Sequence, residues 1–166
     1  RLTAERSNES SQGMYEVQLL LVAVELYGKI NDSAARVRAL SEASLKARAC
    51  GEVRLEALCE GALADCALEH ADFAAARLHA DNCLRLASSI GLLDQSAQAH
   101  EDASLLAMAE GDAPQALARA EQAMALYLRI GHRDHFAQGR ALRAWALAEA
   151  GEHDAALAEW SALEAD

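Results

Sequence analysis

The chain has 166 residues, about a quarter of them alanine, with aromatic residues at only 4%, a single proline and a formal net charge of −11. That length suits one ordinary domain able to bury most of the surface its unfolded form exposes. The acidity, with no dense Lys/Arg cluster, excludes nucleic acid or an anionic membrane surface as a direct partner of this segment.

Alanine loses no side-chain entropy on entering a helix, so an Ala- and Leu-rich chain whose one proline is Pro114 reads as all-α. A core of such small side chains requires closely packed helix backbones, which helical hairpins provide. Residues 1–11 are read as a disordered or boundary segment, followed by a single repeat domain over 12–166. Its first hairpin covers about 12–50, with helices over 12–29 and 33–50 meeting at Asn31-Asp32. The second covers about 52–90, with helices over 53–70 and 73–90 on either side of Ala71-Asp72. The third, about 92–130, pairs helices over 93–110 and 113–130 around Gly111-Asp112. The fourth, about 132–166, pairs 133–150 with 153–166 around Gly151-Glu152.

Two series of turns recur in one frame of forty residues, which is the mark of a repeat architecture. Gly51, Gly91 and Gly131 form one series, and the four inner turns form the other, with an acidic residue at the same phase each time. Glycine tolerates the left-handed conformation that ends a helix, and aspartate accepts amide hydrogens where the next begins. Asp112-Ala113-Pro114-Gln115 is the clearest start, with an N-capping carboxylate, proline in the first turn and glutamine placed for a capping box. Asp94 and Asp134 are candidate caps for the first helices of the last two hairpins. Connections this short make each pair antiparallel.

Cys50, Cys59, Cys66 and Cys83 show no CxxC spacing. Cys59 and Cys66 are two turns apart on one helix, too far for a disulfide, so small buried thiols are favoured over a metal site. His132 and His135 are the closest histidine pair, but they occupy a turn with no third ligand near in the chain. There is no GxSxG, P-loop, HExxH or dinucleotide-binding glycine pattern. The many carboxylates would pair by accident on any such surface, with no stated reason for a shifted pKa. Neither an enzyme nor a cofactor is expected. The apolar run Leu19–Val24 is far short of the ~18 residues that cross a bilayer, and a cytoplasmic location is expected. The chain opens at Arg1 without a methionine or a secretion signal and ends on Glu164-Ala165-Asp166 inside a helical pattern, so a piece of a larger polypeptide is expected.

Small residues spaced twelve and then seven apart, at Ser104, Ala116 and Ala123 and again at Ala64, Ala76 and Cys83, resemble the hairpin crossings of the tetratricopeptide family. The fourth hairpin offers Ala144 and Ala156 but then Leu163, and the first departs further, with Val24 and Arg36 before Ala43. The repeat is longer than that family's usual one. In this it is similar to the C-terminal arms of bacterial transcription regulators of the MalT/LuxR type, as is the run from Ala118 to Gly131. HEAT repeats share the length but commonly place proline in their first helix.

The resemblance implies an all-α, TPR-like solenoid of about four antiparallel hairpins whose first helices line a concave groove. Carried over column by column, it implies a partner-binding surface at Gln18, Glu25, Asp65, Leu68, Gln98, Glu101, Leu105, Met108, Gln138 and Trp145. Gln18, Gln98 and Gln138 would form a ladder able to bind an extended peptide backbone, unless they are merely soluble helix formers. Leu68, Leu105, Met108 and Trp145 would give the groove an apolar floor, with Trp145 either an anchor for a partner or a packing residue between hairpins. Trp160 would cover a next repeat or cap this one. The implied role is a protein-interaction or ligand-sensing module of a bacterial signalling or transcription regulator, taking a peptide, protein segment or small effector. The alternative is a structural module that assembles copies of itself.

Overall fold

The computed structural model describes residues 2–165, with side chains from Gln12 to Glu164. Among these residues there are eight helices and no strand: α1 Leu2–Lys29, α2 Ser33–Cys50, α3 Val53–Glu69, α4 Phe73–Ile90, α5 Leu93–Ala109, α6 Ala113–Ile130, α7 Arg133–Glu149 and α8 His153–Ala165. The forty-residue frame thus becomes four antiparallel hairpins. Each helix packs on the next in the chain, and beyond these neighbours α3 packs on α5 and α5 on α7. The first helices of the later hairpins therefore stand side by side along one face, with their second helices outside. The architecture is an all-α helical repeat.

The turns follow from local chemistry. Gly51, Gly91 and Gly131 end α2, α4 and α6 in the left-handed region at φ 74°, 70° and 76°, which costs glycine little. The second helices are capped by aspartate: Asp32 accepts from the amide of Ala35 at 2.9 Å, Asp72 from Ala75 at 3.1 Å and Asp112 from Gln115 at 3.1 Å. Asp94 and Asp134 do not cap, contrary to expectation. Leu92 and His132 hold the N-cap positions without a side-chain bond, because the helix restarts one residue beyond the left-handed glycine. Asp94 still accepts from the Gln95 amide at 3.0 Å. At the second inner turn Ala71 takes φ 55°, where the other later turns use glycine. The helix expected to start near residue 12 starts at Leu2, so the segment read as disordered or boundary is helical in its backbone from that residue on.

The small residues of the repeat do close the hairpins. Ala64, Ala76, Cys83, Ser104, Ala116 and Ala123 are all fully buried. The Ser104 hydroxyl donates to the carbonyl of Ala116 at 2.7 Å, so the α5–α6 crossing carries a hydrogen bond within its close contact. Gly61 sits in a similarly close contact between α3 and its neighbours. A Cβ there would lie 3.3 Å from Gln95 Oε1 and 3.4 Å from Cys83 Sγ. Larger side chains form small separate clusters, such as Leu40 with Leu63 and Cys66. All four cysteines are free thiols. Burial pushes Cys59 up to about 11 and Cys83 up to about 12, so these two are inert space-filling groups.

Candidate functional site

The face along which α3, α5 and α7 stand together holds a cleft of about 400 Å³ lined by Asp65, Leu68, Gln98, Glu101, Leu105 and Gln138, six of the residues expected there. A second cleft of about 370 Å³ shares Glu101, Leu105 and Gln138 with it and runs on to Trp145 and Trp160. The two are one continuous groove, acidic at one end and aromatic at the other. The spacing of the columns explains this. Asp65 and Leu105 occupy the same phase of consecutive repeats, as do Gln98 and Gln138, so stacking the hairpins brings them onto one surface.

Three expected residues stand elsewhere. Met108 packs on the cluster of Ala107, Ala116 and Ala146 at the junction of α5, α6 and α7, whereas Leu68, its counterpart one hairpin earlier, lines the groove. Gln18 and Glu25 are exposed on α1 and line neither cleft. Their column was carried into the hairpin whose small-residue spacing departs most, through Val24 and Arg36. The glutamine ladder does not form. Gln98 donates its amide to Asp65 Oδ2 at 2.8 Å, Gln18 lies apart, and only Gln138 presents an exposed amide to the groove. Trp145 is 53% exposed and donates Nε1 to Glu149 at 3.3 Å. Its ring is therefore a surface feature, not packing between hairpins. Trp160 is 51% exposed beside it.

The acidic end contains the residue that sequence reasoning missed. Asp102 on α5 is only 3% exposed and lines the cleft, and its Oδ2 has no hydrogen-bond partner. Buried polar atoms are seldom left so. Burial, then the charges of Asp65 and Glu101, push its carboxyl up to about 8. Burial raises Asp65 as well, against the pull of Arg36. The two carboxyls lie within hydrogen-bonding reach when one keeps its proton, the usual outcome when two acids share a low-dielectric site. So the expectation that no carboxylate pair would have a reason for a shifted pKa is overturned here. The reason is tertiary burial.

Three more residues complete this end. Tyr127, almost fully buried, reaches across from α6 and donates its hydroxyl to Glu101 Oε2 at 2.8 Å. Burial and the charge of Glu101 raise its phenol. His135 stacks on the Tyr127 ring with centroids 5.0 Å apart. Arg36 lies at the margin, paired with Glu69 at 3.4 Å. The sequence does not point to Tyr127, because it lies on α6, a second helix, and the expected groove columns all fall on first helices. Its large side chain, in a helix otherwise lined by alanine, was the one available signal.

Two other features stand out beside this groove. A larger cleft of about 610 Å³ opens beside the α6–α7 turn, where His132, Arg133 and Asp134 meet Arg140 and Leu163. Its lining includes no buried unpartnered group, and Arg140 is held by Glu159 at 2.7 Å. On α3, Glu60 is buried but fully engaged by Ser44 at 2.7 Å, His79 at 2.8 Å and Asn82 at 3.2 Å. Among the described residues no three His, Cys, Asp or Glu side chains come together as metal ligands would. No described helix is long and apolar enough to cross a membrane.

A scan against protein-family models and a search of curated proteins found no match to this chain.

Proposed function

We infer that this chain is a binding module whose concave groove receives an extended peptide or protein segment. The observation that supports it is the convergence of Asp65, Gln98, Glu101, Leu105 and Gln138 from three successive hairpins onto one groove that continues to Trp145. Apolar floor, exposed aromatic rings and hydrogen-bonding edges are what extended chains are held by. The tetratricopeptide resemblance supports the same reading. It also suggests the setting, a cytoplasmic bacterial signalling or transcription regulator in which an occupied groove biases the neighbouring domains.

Selection of a random peptide library on the immobilised chain tests this directly. Enriched peptides should change the Trp145 fluorescence and lose binding to a Leu105→Arg variant. Peptides that bind that variant equally well would sink the reading.

A second reading, self-assembly, is favoured by a different surface. Tyr15, Leu19, Val22 and Leu26 repeat along α1 at spacings of four, three and four, and all are more than half exposed. That spacing matches the seam of a two-stranded coiled coil, and we read α1 of a second copy as its occupant. Light scattering across concentration should then give a dimer that a Leu19→Asp, Leu26→Asp double variant dissolves. A monomer at every concentration would remove this reading.

A further inference from the structure

We propose that the acidic end of the groove is a socket for one cationic side chain, the guanidinium or ammonium group of a basic peptide, whose next apolar residue lies against Trp145 and Trp160. This rests on the groove reading and adds the chemistry of its occupant.

Asp102 Oδ2 is sealed from solvent, and as a carboxylate oxygen it lacks a donor. A buried acid with no donor is costly unless something supplies one. Within the chain only a proton shared with Asp65 does so. A group that brings both N–H donors and positive charge supplies what Asp102 lacks and offsets the charges of Asp65 and Glu101 beside it, and charge-assisted hydrogen bonds are the strong ones.

The cleft's other groups fit a cation and not an anion. Asp65, Asp102, Glu69 and Glu101 face it, while its one fixed positive charge, Arg36, is already paired with Glu69. Of the remaining titratable neighbours, Tyr127 is held by Glu101, His135 by ring stacking, and the Cys83 thiol, which feels the charge of Asp102, is pushed up to about 12 by burial and stays neutral. The carboxylates are not grouped as metal ligands, so a broad hydrogen-bonding cation suits them better than a metal ion. A peptide is favoured over a free amine because the cleft does not end at the acids. It shares Glu101, Leu105 and Gln138 with the cleft that reaches the two tryptophans, which a small amine would leave untouched. The chain's net charge of −11 draws a basic segment toward it.

Binding has a proton signature. Around neutral pH Asp102 retains its proton, and an arriving cation replaces that proton, which passes to solvent. The test is calorimetry near pH 7, in two buffers of different ionisation enthalpy, with blocked peptides carrying one arginine and one leucine at varied separation. Matched peptides with citrulline in place of arginine, and agmatine alone, are the controls.

At least one arginine peptide should bind about tenfold or more tightly than its citrulline twin and release close to one proton. Asp102→Asn, which keeps the shape and folds without a buried acid, should lose a similar factor and the proton release. Equal binding of arginine and citrulline peptides, both still lost in Leu105→Arg, would overturn the socket and leave the groove standing. Binding indifferent to Leu105→Arg would overturn both. Agmatine binding as tightly as any peptide would overturn the peptide as occupant.

Discussion

Glu60 and Asp102 are both acids sealed into an alanine-rich interior, at 4% and 3% exposure, and their surroundings differ in kind. Glu60 sits between α2 and α4 with Ser44, His79 and Asn82 within hydrogen-bond distance and Arg48 at 3.9 Å. Burial alone would raise its pKa, but the bonds from His79, Ser44 and Asn82 outweigh that and hold it below the ordinary range. Asp102 has an oxygen that finds no donor except a proton shared with Asp65, acids for neighbours, and a carboxyl pushed up to about 8. A buried carboxylate that finds its donors inside the fold ties helices together. One that does not is held protonated, facing a cleft through which a donor can come.

If this contrast is right, removing the two acids should move stability in opposite directions. Glu60→Ala leaves Ser44, His79 and Asn82 without their acceptor and should cost about 3 kcal/mol in urea unfolding; a loss under about 1 kcal/mol would break the comparison.

Asp102→Asn should instead stabilise the protein at pH 8, and the gain should depend on pH. The native Asp102 holds its proton up to about 8, whereas an unfolded aspartate releases it near pH ~4. Between those limits the native state binds the extra proton, so wild-type stability falls as pH rises, and the Asn variant should lie flatter. Parallel curves would show that Asp102 is not the titrating group. Glu60 has the reverse sign. Its contribution is present above the unfolded glutamate pKa, about 4.3, and is lost as pH falls through its depressed native value.

Single donors sharpen the contrast further. Ser44→Ala withdraws one of the Glu60 bonds and should cost about 1 kcal/mol by the same measurement. Tyr127→Phe withdraws the one donor to Glu101 at the acidic end and should cost somewhat less, roughly 0.5–1 kcal/mol, because Glu101 is only half-buried and water can replace the hydroxyl. A larger loss in Tyr127→Phe than in Ser44→Ala would mean that the groove end, too, is chiefly structural.

What the sequence determined by itself was local and periodic. Glycine at 51, 91 and 131 and aspartate at 32, 72 and 112 act within a few residues of their own positions, so their reading needs no knowledge of distant chain. Alanine, serine and cysteine at the crossings repeat with the same frame, and that frame carried Asp65, Leu105, Gln138 and Trp145 to the groove. What only the tertiary structure decided was the pairing of side chains outside the frame. Asp102 meets Asp65 across two hairpins at a separation that no repeat dictates, and Tyr127 crosses from a second helix to Glu101. Met108 turns to the core while Leu105, one turn earlier, stays in the groove. Such contacts depend on rotation about a helix axis and on the depth at which neighbouring hairpins pack. Those are set by the volumes of many small side chains together, and a single residue does not announce them.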